Sequence, residues 1–330
     1  MKSLNSHRLN VILLFTLFFV SCEKDNVDTD WERDEIRKEV LTSLDGEILY
    51  NKNNSIYKTT AKSGGSGILI GNEAYDVVRQ KWSPDGSMMA YVKITPSPND
   101  YYLIICNKNG DIQYQWLLGT FSVLSHMLDI SWSPDGNTIA ALARNQIIYV
   151  NVGTGKLIIT QLFPQIGFTF RSIAWCPREN KIAISEGRDS FFSSEDGNQY
   201  IWMLEPYKND PHLAPNYLLV KNSDTSMMSI NYLDWSMDGT MLTYSGYGTG
   251  SIYIVNFDGT GNQKIITKPP FENKMVYGFA PCWMSNNKQI IFVGVKGVSG
   301  STLILGLFVT DIDGTYNIDI NITGLYPDCY

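Results

Sequence analysis

The chain has 330 residues, 44% of them hydrophobic and 18% charged, a globular composition that fits two ordinary domains or one large β domain. Its 33 acidic against 26 basic side chains give a formal charge of −7, which excludes the basic surface a nucleic-acid binder needs to displace counterions. Three histidines and five cysteines leave few ligands for a soft-metal site, and no cofactor is expected.

Lys2 and Arg8 precede the apolar run 11–20 (VILLFTLFFV). That run is shorter than the roughly 20 residues of a membrane-spanning helix and has the length of a signal-peptide core. The ending Phe19-Val20-Ser21-Cys22 resembles a bacterial lipobox, with Phe19 where leucine is usual. The resemblance implies that residues 1–21 are a lipoprotein signal peptide and that Cys22 becomes the lipidated N-terminus, with palmitate among its acyl chains. The alternative is a plain secretory signal cleaved nearby. Processing would leave 24 basic against 33 acidic side chains, or −9.

Residues 22–44 read as a lipid-anchored tether. Its first part, Glu23 to Asp30, is acidic and polar and cannot bury enough apolar surface to fold. The Cys-Glu-Lys-Asp start resembles the export signals of surface lipoproteins in Bacteroides-type bacteria, and a solvated linker is the other reading. Residues 31–41 suit a short helix capped by Asp30, with Trp31, Ile36 and Val40 on its docked side.

From residue 45 onward one unit repeats. Trp82-Ser-Pro-Asp-Gly86 recurs at Trp132–Gly136, then in altered form at Trp175, Trp235 and Trp283, with spacings of 50, 43, 60 and 48. A short apolar strand follows each turn, at 88–92, 138–142, 181–185, 241–245 and 289–293. A third strand follows at 101–106, 147–150, 200–204, 252–255 and 303–308, and a fourth beyond a Gly-containing turn in most units. Proline presets φ, aspartate bonds its own backbone and glycine accepts positive φ, so the motif builds a tight reversal. Asn180 and Asn287 are expected to replace the missing glycines. Four short strands per unit with periodic aromatics predict a β-propeller.

The stretch 250–267 (GSIYIVNFDGTGNQKIIT), together with the Trp-Ser-Pro-Asp-Gly turns, resembles the TolB-type propeller repeat, which also occurs in prolyl-oligopeptidase-like enzymes. The resemblance implies an all-β, six-bladed ring of four antiparallel strands per blade over residues 45–330. Residues 46–50, 55–59 and 66–70 supply three strands of a first blade that lacks its leading strand. The C-terminal Gly324-Leu-Tyr-Pro-Asp-Cys-Tyr330 echoes Gly278-Phe-Ala-Pro-Cys-Trp283, with Tyr330 one period after Trp283. The C-terminal strand is therefore expected to complete blade 1 and close the ring.

Chemistry is sparse. A serine hydrolase needs Ser, His and Asp together, yet only His126 and His212 follow the signal segment and no Gly-x-Ser-x-Gly elbow occurs. The metal-dependent lyases that resemble this fold use several histidines. A channel-facing cluster of carboxylates with His126 would revive an enzyme reading. The segment Asp311–Asp319 lacks the glycine spacing and terminal glutamate of a calcium loop, so no metal is expected. Cys106, Cys176, Cys282 and Cys329 read as buried free thiols, with Cys282 and Cys329 the pair to test for a bridge because they fall at near-equivalent places in neighbouring blades.

What remains is a binding surface. Loops between second and third strands and between blades open on one face and gather Tyr75, Phe121, His126, Phe168, Phe191, Phe192, Tyr247 and Phe271 there, about half of them turned inward. The expected protein is a non-enzymatic, lipid-anchored outer-membrane module, periplasmic or surface-exposed. It would bind an envelope protein as a monomer, touching the membrane through its N-terminal lipid only. Glycan capture for an uptake system is the alternative.

Overall fold

The computed structural model describes residues 29–330 except 61, 63–66, 73–75, 96–99, 121–127, 144, 164–167, 189–198, 209–217, 223–226, 228, 248, 267–277 and 300–301. The chain divides into two compact units, one ending at Leu44 and one beginning at Asp45.

Among the described residues of the first unit one helix, α1, spans Thr29–Ser43. It begins ahead of the expected Trp31, so Asp30 lies within the helix and not at the residue before it. Val40 is buried, but Ile36 is 46% exposed, which corrects its assignment to a docked side. Among the described residues no helix is long and apolar enough to cross a membrane.

The second unit is a ring of six four-stranded antiparallel sheets. Blade 1 holds β1 (Glu47–Lys52), β2 (Ser55–Thr60) and β3 (Ile68–Asn72). Blade 2 is β4 (Asp76–Trp82), β5 (Met88–Ile94), β6 (Asp100–Asn107) and β7 (Ile112–Thr120). Blade 3 is β8 (Leu128–Trp132), β9 (Thr138–Ala143), β10 (Gln146–Asn151) and β11 (Leu157–Gln161). Blade 4 is β12 (Phe168–Trp175), β13 (Ile182–Arg188), β14 (Gln199–Leu204) and β15 (Leu218–Asn222). Blade 5 is β16 (Ser229–Trp235), β17 (Met241–Tyr247), β18 (Ser251–Asn256) and β19 (Gln263–Ile266). Blade 6 is β20 (Phe279–Trp283), β21 (Gln289–Ser299), β22 (Thr302–Asp311) and β23 (Ile318–Asp319), and β24 (Leu325–Cys329) returns to pair with β1.

The leading strands β24, β4, β8, β12, β16 and β20 contact one another in turn around the axis, so the C-terminal strand closes the ring as expected. Its register departs by one residue. The N–H groups of Ser83, Ser133, Ser236 and Met284 each donate to the first carbonyl of the following strand, Cys176 donates to Lys181 just before β13, and Tyr330 donates to Glu47 at the start of β1. Tyr330 therefore holds the serine position, and Cys329, not Tyr330, stands where the other blades have tryptophan.

The turns owe their shape to local hydrogen bonds. Ser83 Oγ donates to Asp85 Oδ1 at 2.6 Å and accepts the Met88 N–H at 2.9 Å. Ser133 and Ser236 repeat the arrangement. Gly86, Gly136 and Gly239 take φ of 65–69°, where a Cβ is disfavoured. Asn287 substitutes for glycine with φ 55°. Asn180 does not: its φ is not positive, and it instead accepts the Trp175 indole N–H at 3.1 Å.

Core clusters lie in the seams between blades. Trp132 packs with Val92, Leu103 and Ile105 of blade 2, and Trp82 packs with Leu49 and Ile56 of blade 1. The repeated tryptophan thus welds each blade to its predecessor, where a large rigid ring contributes most by burial.

Cys282 and Cys329 form a disulfide, correcting the free-thiol reading for this pair, while Cys106 and Cys176 are buried as expected. The bridge joins the leading strand of blade 6 to that of blade 1 and so ties the closing strand β24 to its neighbour. Replacing both cysteines by serine should lower stability by about 2–5 kcal/mol. A reductant should lower the melting temperature of the natural protein and leave that of the double variant unchanged; equal melting temperatures before any reduction would refute the latch.

Candidate functional site

Along each leading strand, counting back from the tryptophan position, side chains one and three residues before it face the central channel. In β4 these are Lys81 and Arg79. Two positions apart on a strand means the same face, and a register shift between Val78 and Lys81 tilts this end of the strand. Matching shifts occur in β16, β20 and β24.

The lower layer is centred on Lys81. Its Nζ lies 2.9 Å from Asp234 Oδ1 and 2.7 Å from Asp328 Oδ1. The carboxylates also accept backbone N–H groups from the next blade: Trp82 donates to Asp328 at 2.6 Å and Trp283 to Asp234 at 2.8 Å. Between blades 3 and 4 the same job falls to Ser131 Oγ, which accepts the Trp175 N–H at 2.8 Å. Between blades 6 and 1 the Cys282–Cys329 bridge takes this place. The indoles of Trp132 and Trp235 donate to the carbonyls of Lys81 and Ala174.

Burial works against the Lys81 charge, but Asp234 and Asp328 more than offset it and hold the ammonium protonated. Burial pushes the Asp328 carboxyl up to about 6, with Lys81 pulling it down and Asp234 pushing it further up.

The upper layer, nearer the loop face, is centred on Arg79. Its Nε lies 3.4 Å from Asp129 Oδ1, and its guanidinium sits 4.3 Å from the Tyr232 ring and 4.9 Å from the Tyr326 ring. Asp129 also accepts from Ser172 Oγ and from the Ile173 N–H, and Ser172 Oγ accepts the Leu233 N–H at 3.0 Å. Burial again opposes the charge, and Tyr232 and Asp129 outweigh it. Arg79, Tyr232, Ala280 and Tyr326 share one register position and all have φ of 50–57°. The fold thereby turns a strained residue of four blades toward the axis.

Below Lys81 the channel opens into a cavity of about 150 Å³ on the Trp-Ser-Pro-Asp-Gly turn side, ringed by Trp82, Trp132, Trp175, Trp235 and Trp283.

Sequence reasoning missed this network. The available signal was a charge placed one or three residues before tryptophan in a leading strand: Lys81 and Arg79 in β4, Asp129 in β8 and Asp234 in β16. The channel does hold carboxylates, but Asp234 and Asp328 are bound to Lys81 and Asp129 to Arg79. Among the described residues no cluster of His, Cys, Asp or Glu is arranged to hold a metal. Asp311 accepts from the backbone and hydroxyl of Thr315, an ordinary hairpin turn.

Of the loop-face candidates, Tyr247 ends β17 and is 59% exposed. Phe168 begins β12 but is buried, its ring 5.9 Å from Tyr200 in the blade 3–4 seam. It is a core residue and not a surface anchor, because an apolar side chain at the strand start can reach the seam. Tyr75, Phe121, His126, Phe191, Phe192 and Phe271 lie outside the described residues, as do Cys22 and His212.

No family model and no curated protein matches the chain. Among solved structures it is similar to TolB from Acinetobacter baumannii, with a TM-score of 0.59 at 13% identity over 88% of this chain and 69% of that one. It is equally similar to a chain of a nidogen/laminin complex, with a TM-score of 0.59 at 10% identity over 86% of this chain and 98% of the other. The fold is that of a TolB-like six-bladed propeller.

Two outcomes follow from the buried charges. Lys81→Met leaves two carboxylates without their cation and should cost about 3–5 kcal/mol; adding Asp234→Asn and Asp328→Asn should restore much of it, which denaturant titration of the variants tests. The raised carboxyl of Asp328 binds its proton more readily folded than unfolded, so its contribution to stability is fullest below about pH 4 and is lost as pH rises through about 6. The stability margin of the natural protein over Asp328→Asn should therefore shrink across that interval, and a margin that widens would contradict the assignment.

Proposed function

We propose that this TolB-like propeller is a non-enzymatic, lipid-anchored module of the cell envelope that binds a protein partner on its loop face. The observation that supports it most is the state of the channel. Among the described residues Asp129, Asp234 and Asp328 are committed to Arg79 and Lys81 across blades, which favours recognition at the surface. There Tyr247 projects into solvent at the end of β17, the kind of amphipathic aromatic that anchors interfaces. The nidogen structure, solved in complex with laminin, is an example of this fold beside a protein partner.

The anchoring rests on the lipobox-like Phe19–Cys22, with residues 1–21 as signal peptide, Cys22 as the lipidated residue and 22–44 as tether. The outer membrane, facing the periplasm or the exterior as in Bacteroides-type surface lipoproteins, is the proposed location. Glycan capture is the second reading, favoured by the same exposed aromatic.

Two measurements test these readings. Growth with a labelled palmitate analogue should label the natural chain, and Cys22→Ser should abolish the label. Cross-linking intact envelopes should yield a specific partner, and Tyr247→Ala should weaken its binding by about tenfold or more. Retention of a glycan on an array, with no protein recovered, would move the function to the second reading.

A further inference from the structure

The outermost strands of the six blades are not alike. In blades 1, 2 and 3 they read ILIGN, IQYQWLLGT and LIITQ, without one charged residue. In blades 4, 5 and 6 they carry Lys221, Lys264 and Asp319. A charge on an edge strand is the usual guard against edge-to-edge pairing. One half of the rim is guarded and the other is not.

The unguarded half is also apolar. Ile68 and Leu69 are exposed on β3, Ile112, Tyr114 and Leu117 on β7, and Leu157, Ile158 and Ile159 on β11, where Ile159 is 58% exposed. These strands adjoin: Gly110 at the β6–β7 turn backs onto Ile70 of β3, and Gly155 at the β10–β11 turn backs onto the Trp116 ring of β7. The apolar surface therefore runs across three successive blades.

We propose that this rim is the interface of a two-fold dimer, in which β11 pairs antiparallel with β11 of a second copy. The strand is self-complementary. Centred on Ile159, the pairing sets Ile159 against its counterpart, Leu157 against Gln161 and Ile158 against Thr160. Leu157 and Ile159 of both copies then share one face of the joined sheet, since alternate residues point the same way. No like charges meet across the dyad.

Backbone chemistry selects this occupant over a lipid surface. Among the described residues β11 pairs with β10 on one side only, so there its outer edge presents N–H and C=O groups with no strand beside them. Lipid would leave them unsatisfied at several kcal/mol each, whereas a second β11 satisfies them in register. A strand pair alone falls short of the roughly 800 Å² per partner that a stable interface buries, and the flanking apolar residues of β7 supply the additional contact. This replaces the expected monomer with a dimer.

The test uses the full chain purified from envelopes in mild detergent. Under copper phenanthroline, Ile159→Cys should cross-link into a two-chain species, while Lys221→Cys, exposed on the guarded β15, should not. Sedimentation at tens of micromolar should give the mass of two chains for the natural protein. Ile159→Lys should weaken self-association about tenfold or more, with an unchanged melting temperature. Equal cross-linking at both positions, or a single-chain mass for the natural protein, would overturn the proposal. Loss of vesicle binding in Ile159→Lys without any change of mass would assign the rim to lipid instead.

Discussion

Two cations from one strand hold the centre of this ring. Arg79 and Lys81 of blade 2 reach across the channel to carboxylates of blades 1, 3 and 5. Each carboxylate is fixed in turn by a backbone N–H of the following blade, at Trp82, Ile173 or Trp283. None of these contacts is local. Lys81 and Asp234 are 153 residues apart, and Trp82 and Asp328 are 246 apart. Removing such charges from water is costly, and the cost is recovered only with several well-placed partners at once. The partners assemble only when all six blades are in place and the last strand has returned. The network therefore discriminates a closed ring from an open or miscounted one, a kind of specificity that apolar packing at the seams, similar from blade to blade, does not supply.

Closure is asymmetric for a related reason. The two ends of the propeller meet inside blade 1, where β24 pairs with β1, and the chain reaches β24 across the seam between blades 6 and 1. At that seam the chain uses a covalent bond where its neighbours use a hydrogen bond: Cys282 stands where Asp234 and Asp328 stand, and Cys329 where tryptophan does. Tyr330 then fills the space beside Trp82, 6.2 Å between ring centroids, and supplies part of the aromatic bulk that the missing tryptophan would have given. Its backbone completes the turn hydrogen bond to Glu47.

These features explain what was legible beforehand. The blades were readable because the Ser83–Asp85–Gly86 turn closes within six residues of sequence, and its chemistry is written in those residues. Blade count and ring closure followed from the period. The register of the last strand was misread by one because Tyr330 resembles tryptophan in kind, and only the hydrogen bond to Glu47 distinguishes its position. Asn180 looked like Asn287, but an indole N–H in reach gave it another role. Phe168 and Tyr247 are both aromatics at strand ends on the loop face. Which one turns into a seam depends on contacts distant in sequence, and Phe168 packs beside Tyr200 of its own blade and in one cluster with residues of blade 3.

The strained backbone of the upper layer points the same way. Left-handed geometry at Arg79, Tyr232, Ala280 and Tyr326 costs on the order of 1 kcal/mol or more for each residue, and it persists because it aims three large side chains at one another across the axis. Arg79 packs against two tyrosines whose rings are 6.0 Å apart, with Phe279 beside both. Strain of this kind often marks a catalytic group held ready. Here the residue so held is a guanidinium already neutralised by Asp129 and stacked on Tyr232, with no lone pair to offer as a base. The strain sets these side chains into the channel. The periphery is uneven as well: uncharged apolar edges on blades 1 to 3, charged edges on blades 4 to 6, and Tyr247 on the loop face. A ring built from similar units thus carries its differences at two places, the axis that fixes its closure and the rim that its neighbours in the sequence do not constrain.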